Sequence, residues 1–402
     1  MCSQGTCGGL EMVKSPGTPG HPFEGRPEVD EGTATDTRRK YKNAPEPEDE
    51  SKPDSPVQLH GNSWKYIFKR SLSEFSRNKC TDLAASLTYF AMLSIFPGLL
   101  ALVSLLGLVG QAETTTKNMI DILDRFASDQ VVETLRQPIE QLSAAPSAGL
   151  AFAVGLIGAL WSASGYVGAF GRSINQIYDV QEGRPAYKLK PIMLLVTLVL
   201  LLCAALLVIL LVVSGPVAQT IGDVVGLGET TIMVWNIAKW PVIVLAAVLM
   251  IALLYYGTPN VRQPKFRWIS LGSAIALLIL AIATLGFFFY VANFSNYNKT
   301  YGAIGGVIVL LLWIWIGNLS LLFGVVFDSE VERARQLQSG IAAESSIQLP
   351  PRDIKASEKQ LFKEEQDIRE GKQLRIAAEL EREEDLDEAS DGSKPDAGSP
   401  RE

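Results

Sequence analysis

Residues 191–222 read PIMLLVTLVLLLCAALLVILLVVSGPVAQTIG, 32 positions without one Asp, Glu, Lys, Arg or His. A hydrocarbon core of about 30 Å is crossed by about 20 apolar helical residues, so this run is long enough to span it. Outward from it lie five more charge-free runs: Leu83–Ala112, Gln141–Gly171, Trp240–Val261, Trp268–Asn298 and Thr300–Phe327. Together the six hold 174 of the 402 residues, and all 79 formal charges fall in the other 228. A water-soluble fold is excluded. The expected class is an all-α, polytopic integral membrane helical bundle with six transmembrane helices, since only helices satisfy every backbone amide within one segment in lipid. The spans are expected at about 83–110, 150–171, 191–213, 235–256, 268–292 and 303–327.

The charges outside the spans give the organisation. From Asp328 to Glu402 there are 20 acids and 12 bases, while the preceding residues are close to neutral. Residues 1–60, rich in Gly, Pro, Ser, Thr and acids, are expected to be a disordered cytoplasmic tail with too few apolar groups to offset ordering entropy. Residues 61–335 form the membrane domain, and 336–402 a charged, acidic cytoplasmic tail with a solvated helix over 357–386 and a disordered end. Within the membrane domain, Trp64, Ile67, Phe68, Leu72 and Phe75 recur at helical spacing beside Lys65, Lys69, Arg70, Arg77 and Lys79. That pattern suits a helix over 64–79 lying among the anionic lipids of the inner leaflet. An external amphipathic segment is expected over 114–142. Counting Lys and Arg by side gives 14 with the termini and five opposite, which places both termini in the cytoplasm.

Three groups of residues resemble the YihY/BrkB family of bacterial inner-membrane proteins. In span 1 these are Ala84-Ala85-Ser86-Leu87-Thr88-Tyr89-Phe90-Ala91 and Ser94-Ile95-Phe96-Pro97. In and after span 2 they are Trp161-Ser162-Ala163-Ser164-Gly165, Asn175, Tyr178-Asp179-Val180 and Arg184-Pro185. The third group is Tyr301-Gly302-Ala303-Ile304-Gly305-Gly306-Val307-Ile308, continued by Leu311-Leu312-Trp313. The resemblance covers roughly residues 64–335 and implies a six-span protein of the bacterial inner membrane. It also carries the labels "ribonuclease BN" and serum-resistance virulence factor. Val326 stands where the family has a glutamate near the end of span 6, so no role of that carboxylate carries over.

Metal-dependent RNA cleavage needs clustered His and Asp ligands, yet both histidines, His21 and His60, precede the first span. No CxxC or Cys/His ligand spacing accompanies the four cysteines, and no basic, aromatic-studded domain is present to hold RNA. No catalytic residue, cofactor, metal or nucleic-acid partner is therefore expected. The spans also lack the intramembrane ionisable groups of proton relays. Asp82, Lys239, Lys299 and Asp328 lie near span ends, each within reach of the interface. Neutral polar and small residues remain as candidates for a solute path or for helix packing: Ser86, Tyr89, Pro97, Ser162, Ser164, Gly302, Gly305, Gly306 and Asn318. Pro97 marks a candidate helix break, and small residues let helices approach closely. The expected function is transport of a lipidic or weakly polar solute in a permease-like manner. The alternative is a structural, envelope-organising protein with a serum-resistance-like role and no transport. A homo-oligomer is compatible with either.

Overall fold

A computed structural model describes residues 33–53, 58–108, 148–212, 229–264, 266–293 and 303–391, and nine helices run through them. They are α1 (Thr33–Asn43), α2 (Gly61–Arg77), α3 (Cys80–Leu108), α4 (Ala148–Ile177), α5 (Ala186–Val212), α6 (Glu229–Gly257), α7 (Phe266–Asn293), α8 (Ala303–Gln338) and α9 (Lys355–Asp391). Among the described residues the one extended pairing is an isolated bridge between Val261 and Pro351. The class is all-α.

Five helices contain stretches long and apolar enough to cross a bilayer: Ala153–Ile177, Ala186–Leu207, Ile237–Gly257, Leu271–Val291 and Gly305–Gln338. α3 supplies the sixth member of the bundle, 29 residues of helix that open on the apolar stretch Cys80–Ile95. It continues through Pro97 without interruption, so the helix break considered at that proline is absent. α5 and α6 likewise continue through Pro191 and Pro241. Prolines are tolerated in membrane helices because neighbouring groups re-satisfy the freed carbonyl. The candidate residue Gly302 and the amphipathic segment 114–142 lie outside the described residues.

The six helices form a closed ring: α3 packs on α4, α4 on α5, α5 on α6, α6 on α7, α7 on α8, and α8 back on α3. Many large side chains point outward, with Leu285 72% and Phe289 74% exposed, while the small Ala84, Ala252, Ser273 and Ala276 are fully buried between helices, as are Leu87, Phe170 and Leu322. Lipid is as apolar as leucine, so nothing drives large side chains inward, and close packing of small residues holds such helices together.

At the end that carries the termini, the bundle is capped by polar structure. α8 has 36 residues, about 54 Å at 1.5 Å per residue, and so extends well past a hydrocarbon core. It stops at a turn where Gly340 takes φ +77°, the left-handed geometry that glycine adopts at helix ends. The chain then folds back, burying Ala343, Ile347 and Leu349. This strap meets the α6–α7 connector through Arg262 N–H to the Pro350 carbonyl (2.9 Å) and Arg352 N–H to the Asn260 carbonyl (3.0 Å).

Two departures from the expected tails follow. Within the stretch expected to be disordered, α1 forms a helix whose Lys40 is buried, and Lys52 is buried beyond it. Charge and carbonyl partners hold this segment in place of an apolar face, which composition cannot register. On the C-terminal side, residues 341–354 are part of the folded cap, and the solvated helix begins at Lys355.

A Cβ built on Gly183 would overlap the backbone carbonyl of Asp353, whereas one on Gly371 meets nothing within 4 Å. Gly183→Ala should therefore destabilise the cap by about 1–3 kcal/mol. Gly371→Ala should be neutral or stabilising by up to about 1 kcal/mol. Thermal unfolding of the detergent-solubilised protein measures both.

Candidate functional site

Inside the ring lies a cavity of about 480 Å³, lined by all six helices. α3 contributes Ser94, α4 Tyr166, α5 Thr197, α6 Met250, α7 Leu277 and α8 Leu321. The remaining lining is Ala, Val, Leu and Ile. Among the described residues no charged side chain borders it, so the space suits an uncharged, largely hydrocarbon occupant; an unpaired ion placed there would cost many kcal/mol.

The polar atoms beside the cavity are tied to one another. Tyr166 donates its hydroxyl to Asn318 Oδ1 at 2.8 Å, and Asn318 Nδ2 donates to Thr88 Oγ1 at 3.1 Å. Thr88 donates its own hydroxyl to the Ala84 carbonyl at 2.7 Å. α4, α8 and α3 are thus pinned by one chain of hydrogen bonds, each satisfied without water. Towards the capped end, Tyr166 stacks near Phe170 (centroids 6.2 Å), and Phe170 lies almost parallel to Tyr255 (6.0 Å, 13°).

The sequence candidates distribute unevenly. Asn318 is buried at the centre of the hydrogen-bond chain, and Ser162 donates to Ser94 Oγ at 3.4 Å, next to the cavity wall. Ser164 is buried at a helix contact, and Gly305 is buried while Gly306 has open space around it. Ser86 and Tyr89 face outward, Tyr89 with 61% exposure. The structure brings Asn318 and Ser162 to the cavity's edge and leaves Ser86 and Tyr89 on the lipid side. The lining residues Ser94, Tyr166 and Thr197 escaped the candidate set. Their helices are apolar on every face, so no periodicity marks which side turns inward.

Of the ionisable residues near span ends, Asp82 is exposed, but Lys239 and Asp328 are buried. Asp328 does not reach the interface as its position suggested; it packs onto Gly272, whose N–H it accepts at 2.8 Å.

The cap is organised by residues of the Asn175–Pro185 group. Asn175 Oδ1 accepts the Asn260 N–H (2.7 Å), and its Nδ2 donates to Glu182 (3.1 Å). The Asn260 amide donates to the carbonyls of Gln181 (3.0 Å) and Asp353 (2.8 Å), and its Oδ1 accepts the Asp353 N–H (3.1 Å). Arg184 forks onto Glu182 (2.8 and 2.7 Å) and reaches the Thr258 carbonyl (2.6 Å). Lys40 donates to the carbonyls of Tyr178 (3.4 Å) and Asp179 (2.9 Å), and Asp179 holds φ +50°. Burial lowers the proton affinity of the Lys40 amine, opposed by Asp36, and burial raises that of the Asp179 carboxyl, opposed by Lys40.

Comparison with known proteins follows this geometry. The sequence profile of the virulence factor BrkB family matches residues 71–347, a range that includes α3 to α8 and part of the cap. A ribonuclease-like protein, YfkH, of Bacillus subtilis (strain 168) is 27% identical over 271 residues, covering 67% of this chain and 97% of that protein. A UPF0761 membrane protein of Alkalilimnicola ehrlichii is 28% identical over 275 residues, 67% of this chain and 60% of its own. Another, of Alcanivorax borkumensis, is 26% identical over 275 residues, 67% of this chain and 61% of its own. No solved structure matches.

The chain of hydrogen bonds makes a quantitative prediction. In a double-mutant cycle, Tyr166→Phe and Asn318→Ala should show a coupling of about 0.6–2 kcal/mol. Ser86→Ala, on the lipid face, should stay within about 0.5 kcal/mol of the parent protein. Unfolding equilibria in mixed detergent micelles read all three.

Proposed function

Because the chain belongs to the virulence factor BrkB family, and its family region forms a partly open apolar cavity lined by all six helices of the ring, we propose that it moves a lipidic or weakly polar solute across or within the bacterial inner membrane. The cavity carries this reading. Its volume of about 480 Å³ falls in the range of small-molecule sites, about 300–1,000 Å³. Its three polar groups, Ser94, Tyr166 and Thr197, are neutral and match a solute that is apolar with a few hydrogen-bonding atoms.

The orientation belongs to the same proposal. The cap and both termini face the cytoplasm, as the excess of Lys and Arg on that side favours. Several of these bases, Arg184, Arg333 and Arg335 among them, are buried in ion pairs, but acids weigh little in the rule. α2 then sits at the inner leaflet. It anchors through Trp64 against Phe327 and Phe75 against Phe323, and leaves Phe68 and Leu72 exposed beside Lys65 and Lys69. Apolar groups next to amines suit the headgroup region of anionic lipids.

The ribonuclease-like name of the Bacillus subtilis relative is not carried over. The two histidines of this chain precede the bundle, and we assign no catalytic step.

Purified protein reconstituted into liposomes with fluorescently labelled phospholipids and uncharged solutes tests the proposal. Movement above empty vesicles is expected for at least one lipidic class. Ala204→Trp and Ala247→Trp, which fill the cavity from α5 and α6, should return it to the empty-vesicle level while the protein stays monodisperse. Absence of movement for every class in the unmodified protein refutes it.

A further inference from the structure

Asp328 is a carboxyl group that the fold buries without a counterion. It is 9% exposed, its Oδ1 accepts one hydrogen bond, from the Gly272 N–H at 2.8 Å, and its Oδ2 has no partner. The next acids on the same helix are treated differently. Glu330 holds Arg333 at 3.0 Å and lies 3.6 Å from Arg70; Glu332 holds Arg335 at 2.6 Å and Lys52 at 3.5 Å. One turn of α8 therefore pairs two buried acids with bases and leaves a third alone.

The site is also a close approach of two helices. A Cβ on Gly272 of α7 would overlap the Asp328 carboxyl group. A Cβ on Gly324, one turn before Asp328 on α8, would lie 2.6 Å from the Gly272 carbonyl and 2.8 Å from Ala276 Cβ. Tyr255 of α6 closes the crossing by donating its hydroxyl to the Leu321 carbonyl, and Leu321 lines the cavity. The carboxyl group thus sits where α7 and α8 meet backbone to backbone, two turns along α8 from the cavity-lining Leu321.

Among the described residues, the groups coupled to it are neutral tyrosines, and the bases near it on α8, Arg333 and Arg335, are committed to Glu330 and Glu332. α6 presents Tyr255, the α4–α5 connector presents Tyr178, and α8 itself carries Glu330 and Glu332. α7 presents the Gly272 N–H, and the nearest arginine of α2, Arg70, is committed to Glu74 and Glu330. A bare carboxylate in such surroundings is far costlier than a neutral acid, which leaves only an uncharged oxygen unpaired.

We propose that Asp328 is a proton-binding site: it is a neutral carboxylic acid in the resting fold, and losing that proton to water forces α7 and α8 apart at the Gly272–Gly324 crossing. The site stands independently of what occupies the cavity. It also gives a chain whose spans carry almost no ionisable groups one position where proton concentration acts on helix packing.

Two measurements on the full chain in lipid nanodiscs test this. Infrared difference spectra at neutral pH, wild type against Asp328→Asn, should show a neutral-carboxyl band that the variant lacks. The amide keeps the shape of the neutral acid. Because the native state then holds a proton that the unfolded state releases, the wild-type unfolding equilibrium should shift towards unfolding by about tenfold per pH unit above the usual carboxylate range. Asp328→Asn should remove one proton's worth of that slope. Equal slopes in the two proteins overturn the proposal, as does a difference spectrum with only a carboxylate band. Should the variant fail to fold, the wild type decides alone: no neutral-carboxyl band at neutral pH overturns the proposal, and one that fades as pH rises, together with the predicted slope, supports it.

Discussion

Hydrocarbon offers a backbone amide no water, and every other feature of this protein answers to that constraint. A charge-free stretch that enters lipid has to close its hydrogen bonds within itself, so α3 to α8 are helices whatever their side chains prefer. The valine- and isoleucine-rich parts of α5 and α8 would be indifferent helix formers in water. With backbone satisfaction settled locally, the helices are free to choose neighbours by shape. Ala84, Ala252 and Ala276 sit at the contacts, and Phe289 and Leu285 sit in the lipid.

Six rods packed as a ring leave room at the centre unless large side chains fill it. Here the inward positions include Ala163, Ala204 and Ala247, and the space remains. Polar groups near it are arranged so that none is stranded: Tyr166, Asn318 and Thr88 satisfy one another across three helices. A cavity with tethered polar atoms and a hydrocarbon wall differs from an aqueous pore, in which polar groups face the lumen. The same economy of polar groups makes Asp328 stand out, since its partners are one N–H and the backbone of a glycine.

The class of the fold was legible because absence of charge over 22 to 32 residues is a signal that needs no knowledge of neighbours. Asn318 was legible for a related reason, being the one amide side chain in the charge-free run 300–327. Ser94, Tyr166 and Thr197 were not distinguishable from Ser86 and Tyr89, because a helix with apolar residues on all sides does not say which side faces in. The cap was hidden for the opposite reason. Lys40, Lys52 and residues 341–354 look solvated by composition, yet Lys40 and Lys52 are held by partners 138 and 280 residues away, and Asp353 by Asn260, 93 residues away. Asp328 read as an interfacial charge because it follows an apolar run, yet α8 continues past it into the folded cap.

Asn260 is bonded to both neighbouring connectors at once: Asn175 and Gln181 on one side, Asp353 on the other. The α4–α5 turn, the α6–α7 turn and the strap after α8 are therefore knotted at one point, and the ends of five helices, α4 to α8, share it. Rods bound together at one end swing like the ribs of a fan. Any widening of the bundle must grow with distance from that knot, with the capped end as the pivot and the far ends covering the greatest arc.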